Sequence, residues 1–228
     1  MVKDRNWVLN PSDFAFLWEE CQRCFYLKVV HNFRRPKLSM PRIFTLIDSQ
    51  MKANYAGKET RDVMPFLPSG TIDPSASSVQ SLPLSVLGHH STCTIRGKLD
   101  TVVRFDDQTF AVIDFKTSGS KSEHVSLSGR QLHAYALALE NAATGKLALR
   151  PVTTLGLLVF EPSGFVAIGS SEACLNGSVK WLRIPRDDSK FLAFLGNVLD
   201  VLDAGVPPDA SVGCEWCKYR MQSRETGL

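Results

Sequence analysis

Residues 111–118 read AVIDFKTS, a strand-forming run with two charges inside it. Successive side chains in a strand point to opposite faces. Asp114 and Lys116 therefore share one face, and Ile113 and Phe115 share the other, where they can pack in a core. The stretch before it, TIRGKLDTVVRF, has the same feature, with Asp100 set among Leu99, Val102 and Val103. The Asp106, Asp107, Gln108 step between the two reads as a turn, so they form a hairpin and Asp100 and Asp114 converge.

Two carboxylates that close repel, and removing even one from water costs several kcal/mol. Lys116 offsets one of them and, as a single charge, not both. A divalent cation offsets both: two Asp, a backbone carbonyl such as that of Phe115, and water form a hard oxygen set suited to Mg²⁺ or Mn²⁺. Lys116 beside that ion would position a water or stabilise charge on a phosphate, an arrangement for phosphodiester hydrolysis. The alternative is an edge-strand salt bridge between Asp114 and Lys116 with Asp100 solvated. The charges on both stretches, with Gly97 permitting close approach, favour metal chemistry.

The rest of the chain fits an α/β (α+β) domain with a central mixed sheet flanked by helices. Its 228 residues, 44% hydrophobic, suffice for one domain, residues 1–228, whose core needs no metal to form. Residues 11–30 read as one helix capped by Asn10 or Ser12, with Phe14, Leu17, Trp18, Cys21 and Phe25 at helical spacing. Further helices are expected over 41–55, 126–143 and 190–202. TTLGLLVFEP reads as a buried strand, with FVAIGS pairing to it across Pro162, Ser163 and Gly164. Residues 65–83, rich in Pro and Ser, read as a flexible loop.

Net charge is +3, so bulk charge does not mark a nucleic-acid binder. One local run from Lys28 to Arg42 holds Lys28, His31, Arg34, Arg35, Lys37 and Arg42 with no acid among them. The first residues, MVKDRNWVLNPSDF, lack the apolar segment of a secretory signal, and no apolar run reaches membrane-spanning length. A cytoplasmic location with no membrane partner is expected, which disfavours disulfides. The six cysteines then need another role. Cys21 and Cys24 form one C-x₂-C pair and Cys214 and Cys217 another, and together they can supply four thiolates to one metal centre if the chain ends meet. Cys93 and Cys174 read as structural, His89 and His90 as loop residues, and His133 as a surface or partly buried residue.

G-K-x-D followed by a turn and I-D-F-K-T resembles the PD-(D/E)XK nuclease superfamily, and within it the RecB-like branch of RecB and AddB nuclease domains and CRISPR-associated exonucleases. The resemblance implies a restriction-endonuclease-like core, metal binding by Asp100 and Asp114, and help from Lys116 in activating water. The family's Q-x-x-x-Y helix is matched by Gln131 and Tyr135, four residues apart on one helical face, which by resemblance border the active site and contact DNA. Arg34, Arg35 and Lys98 are candidates for phosphate contacts. Relatives add a His or Glu from an upstream helix. IFTLIDSQMKANY offers neither, and Asp48 is the acid in its middle.

Many relatives also carry a [4Fe–4S] cluster on one Cys before the core and three after it, the late set reading C-x₂-C-x₅-C. Here the third late position is Ser223, and Cys24 restores the count to four, which leaves [4Fe–4S] and Zn²⁺ both open, with the resemblance favouring the iron–sulfur cluster. The resemblance thus implies an Mg²⁺- or Mn²⁺-dependent deoxyribonuclease, an exonuclease on single strands or ends being the family's commoner mode, in DNA repair, recombination or defence. No G-x₄-G-K-[ST] is present, so a motor would be a separate helicase, recombination or CRISPR subunit. The rival readings are a catalytically weak nuclease-fold subunit that binds nucleic acid and a metal-stapled interaction protein.

Overall fold

The computed structural model describes residues 5–36, 39–73, 78–117 and 122–227, with the side chains of 122–124 left aside. In chain order its elements are β1 (Asn6–Leu9), α1 (Pro11–Ala15), α2 (Leu17–Glu20), α3 (Gln22–His31), α4 (Arg42–Tyr55), α5 (Thr60–Val63), β2 (Gly70–Asp73), β3 (Ser78–Gln80), β4 (Leu84–Ser85), β5 (Thr92–Lys98), β6 (Thr101–Phe105), β7 (Phe110–Thr117), α6 (Ser122–Glu140), β8 (Val152–Ile168), β9 (Glu172–Ile184), α7 (Asp188–Asp203) and α8 (Glu215–Glu225).

The central sheet runs β2-β6-β7-β8-β9. Only the β7–β8 pair is parallel, and α6 makes the crossover between them. This is the expected mixed sheet flanked by helices. One β7 face, through Phe110 and Val112, packs on Leu132, Ala136 and Leu139 of α6 in the main core. The other, through Ala111, Ile113 and Phe115, packs on Met51 of α4, Met64 and Ile72 in a second core. The alternation read from AVIDFKTS therefore holds: Ile113 and Phe115 are core, and Asp114 and Lys116 project to the opposite face.

Four sequence expectations are corrected. The first helix is three short ones. Asn10 caps α1 by accepting from the Ser12 amide at 3.1 Å, but the backbone breaks at Phe16 and turns extended at Cys21. TIRGKLDTVVRF is likewise two strands. β6 makes the predicted hairpin with β7, while β5 joins a separate small sheet with β1, β3 and β4, and the chain kinks at Leu99 and Asp100 between them. Residues 65–83 contribute strands β2 and β3 instead of a plain loop, residues 74–77 lying outside the described set. FVAI does not fold back across Pro162. It continues β8, and its partner is β9 from Glu172 onward. Pro162 falls at a register irregularity, where a missing backbone donor is tolerated.

Candidate active site and four-cysteine cluster

The hairpin register pairs Thr101 with Ile113, which sets Asp100, one residue earlier, beside Asp114, one residue later. The two carboxyls hydrogen-bond each other. Asp114 is 3% exposed, and Lys116 Nζ lies 2.6 Å from its Oδ2. Burial, opposed by Lys116 and reinforced by Asp100, pushes the Asp114 carboxyl up to about 7. Asp100 moves the other way. Burial alone would raise it, but the bonds from Asp114 and Lys52, with the charges of Lys52 and Lys116, hold it below the usual carboxylate range. The pair therefore shares one proton, held on Asp114.

The upstream helix reaches this site in a way its sequence did not suggest. Lys52 Nζ lies 2.8 Å from Asp48 Oδ2 and 2.9 Å from Asp100 Oδ1. Asp48 is thus near Asp100 and joined to it through an ammonium. Burial would lower the Lys52 pKa, but bonds to the two acids raise it, so Lys52 is a cation. The signal was present in the i, i+4 spacing of Asp48 and Lys52, which puts both on one helical face. Phe16, at the break between α1 and α2, was also missed; its ring lies 5.5 Å from Lys116 Nζ.

Gln131 and Tyr135 border the pair from α6, and both are buried. The Tyr135 hydroxyl donates to the Lys98 carbonyl at 2.6 Å, and Gln131 bonds the Tyr135 side chain. Tyr135 thereby pins the kink that carries Asp100. Gly97 makes room for it, since a Cβ there would come within 3.2 Å of the Tyr135 ring and 2.9 Å of Pro11. The Tyr135 ring is 5% exposed and its hydroxyl is engaged.

Among the described residues, buried side-chain oxygens without an aligned hydrogen bond are Thr101 Oγ1, Asp114 Oδ2 and Gln131 Oε1. Asp114 belongs to the carboxyl pair, Thr101 follows Asp100, and Gln131 bonds Tyr135. Buried polar atoms are ordinarily satisfied. Asp114 Oδ2 faces the Lys116 ammonium at 2.6 Å, while Thr101, the cross-strand partner of Ile113, lies on the opposite face of the sheet.

The cysteine pairs converge as expected. Sγ distances are 3.5 Å for Cys24–Cys217, 3.6 Å for Cys24–Cys214 and 3.8 Å for Cys21–Cys217, and all four sulfurs lie within 4.8 Å of one another. Cys21 and Cys214 stand at the N-caps of α3 and α8, with Cys24 and Cys217 three residues on, so both helices aim amide-rich ends at the sulfurs. Burial and the neighbouring sulfurs push Cys217 up to about 12. Arg220 Nη2 lies 3.2 Å from Cys24 Sγ and 3.3 Å from Cys217 Sγ, and Arg35 Nη2 lies 3.4 Å from Cys214 Sγ.

Other candidates fall elsewhere. Arg35 is engaged with Cys214 and Glu20, so it is not a free phosphate contact. Arg34 bonds Asn32, and Lys28 is paired with Asp13. Lys98 is exposed, and Lys37 lies outside the described residues. His133 is a buried structural residue, not a surface one: Nδ1 donates to the Gly129 carbonyl at 2.7 Å and Nε2 accepts from the Asp187 amide at 2.9 Å. Cys93 is fully buried, whereas Cys174 is exposed. His89 bonds Asp200, away from both clusters. No helix among the described residues is long and apolar enough to cross a membrane.

The profile of the PD-(D/E)XK nuclease superfamily matches residues 48–222, from Asp48 through Cys217. The crystal structure of SSO0001 aligns with 94% of this chain and 84% of its own, at 12% sequence identity and a TM-score of 0.49. No curated protein matches the sequence.

Proposed function

The chain belongs to the PD-(D/E)XK nuclease superfamily, and on that premise we propose that it is a divalent-metal-dependent deoxyribonuclease of the RecB-like kind. The observation that carries this reading is the Asp100–Asp114–Lys116 constellation, with two carboxyls side by side across the hairpin and an ammonium 2.6 Å from Asp114. Asp100, Asp114 and the Phe115 carbonyl would hold Mg²⁺ or Mn²⁺, and Asp48 contributes charge from the side. The ion supplies Lewis-acid stabilisation of charge on the scissile phosphate. Lys116 is placed to hydrogen-bond the attacking water and to hold it in line with the phosphorus. Tyr135, through Lys98, and Gln131 keep Asp100 in register with Asp114. The exposed Phe16 ring beside Lys116 offers a base a surface to stack on.

The RecB-like assignment is supported by Q-x-x-x-Y on α6 directly after β7 and by cysteine pairs on either side of the core. Exonuclease action on single strands or ends, a separate motor or CRISPR subunit, a cytoplasmic location and a single domain over 1–228 belong to the same reading. For the cysteine site, one Zn²⁺ is favoured over [4Fe–4S]. A tetrahedral ion with Zn–S bonds of about 2.3 Å sets its sulfurs about 3.8 Å apart, close to the 3.5–3.8 Å pairs here. A four-iron cluster places each thiolate outside a separate iron and needs a wider spread. Elemental analysis should find one zinc per chain, and the protein should lack iron–thiolate absorption in the visible.

The test of the main reading is cleavage of labelled single- and double-stranded DNA with Mg²⁺, Mn²⁺ or EDTA. Cleavage should require the cation and vanish in Lys116→Ala. No cleavage by folded, metal-filled protein would favour the second reading, a DNA-binding subunit of weak or lost activity. What supports that alternative is the lack of an upstream His or Glu, with Asp48 engaged by Lys52.

A further inference from the structure

Lys52 is the one member of the carboxylate site that metal chemistry does not call for. Its ammonium stands 2.8 Å from Asp48 Oδ2 and 2.9 Å from Asp100 Oδ1. It is held there by the helix that carries it, since Met51 beside it is buried and Ile47 and Tyr55 pack on the same core. A divalent ion bridging Asp48 and Asp100 would need these same oxygens at about 2.0–2.4 Å. An ammonium and a divalent ion cannot both stand in that gap: they compete for the same lone pairs and repel each other.

Resting on the metal-dependent reading above, we infer that Lys52 is a built-in cation that limits the site to a single divalent ion. It closes the Asp48 side, engages one oxygen of Asp100, and leaves the other oxygen with Asp114 for the ion. Asp48 then acts as an anchor for Lys52 and not as a ligand. A lysine here lets the site balance its acids without a second metal, at the cost of weaker affinity for the first.

The test is Mn²⁺ binding to the full chain, with the cysteine site filled as purified, followed by the paramagnetic signal of free Mn²⁺. Wild type should bind one ion at the carboxylates. Lys52→Met, which keeps the apolar stem and removes the charge, should bind a second ion or hold the first at least tenfold more tightly. Adding Asp48→Asn to that variant should abolish the second ion. Two ions on wild type, or a Lys52→Met protein with unchanged or weaker binding, overturns the inference and leaves the nuclease reading standing. An ion bound only after Lys52 is removed overturns it, because the inference leaves wild type one ion. No ion on either protein overturns both. If Lys52→Met does not fold, Lys52→Gln, which also removes the charge, takes its place with the same outcomes.

Discussion

The carboxylate cluster gathers three acids with two lysines between them, whereas the cysteine cluster gathers four sulfurs with two arginines at its edge. Both crowd like charges, and they are balanced differently. Around the acids, Lys52 and Lys116 offset part of the charge, so on the proposed reading the site can stand folded while an ion comes and goes. Around the sulfurs, Arg35 and Arg220 reach individual Sγ atoms, and all four sulfurs lie within 4.8 Å of one another. On the proposed reading the cysteine site holds an ion that stays. The first arrangement suits exchange and turnover. The second suits fastening α3 to α8, two helices about 190 residues apart in the chain.

The largest effects should separate the clusters. Asp114→Asn should lower DNA cleavage about a thousandfold, roughly 4 kcal/mol of barrier, while the melting temperature holds or rises. Cys24→Ser should do the reverse in kind: it should release the zinc proposed for this site and lower the melting temperature by about 10 °C or more. Calorimetry with metal analysis on both variants reads this directly. A strongly destabilised Asp114→Asn would break the contrast.

A smaller effect concerns pH. In metal-free protein Asp114 keeps its proton up to about 7, against an ordinary value of 3.8. The folded state then binds one more proton than the unfolded chain between those values, so stability falls as pH rises through that window. Urea melts in chelator should show that decline, and Asp114→Asn should flatten it. A stability that climbs with pH over this range in wild type would mean that the proton is not held on Asp114.

The smallest effect sharpens the role of α6. Tyr135→Phe removes one hydrogen bond and leaves the Lys98 carbonyl unmet, a loss of about 1 kcal/mol in stability. If Tyr135 positions Asp100, Mn²⁺ affinity should weaken in step, and DNA affinity measured without metal should not change. A selective loss of DNA affinity would return Tyr135 to the interface.

Much of the site was legible because it lies in periodic sequence. The two-residue period of AVIDFKTS separated core from chemistry, the turn at Asp106–Gln108 set Asp100 against Asp114, and the C-x₂-C spacing named the four sulfurs. The helix expected over 41–55 is present as α4 (Arg42–Tyr55). Phe14, Trp18 and Phe25 looked like one helical stripe. The cysteine site needs Cys21 extended at an N-cap, and that requirement broke the helix. Pro162 looked like a turn because its lost donor is usually decisive, yet the long β8–β9 ladder absorbs it at an irregularity.

The sequence by itself determined which residues carry charge inside the sheet, which face they take and which sulfurs come in pairs, because these follow from local period and spacing. Only the tertiary structure decided that β5 leaves the hairpin for a second sheet, that Tyr135 pins the Asp100 kink, and that Lys52 enters the carboxylate site. The Tyr135 and Lys52 contacts span 37 and 48 positions, and β5 pairs with β1 across more than 80, and such contacts are set by how the elements pack, not by the pattern within any one of them.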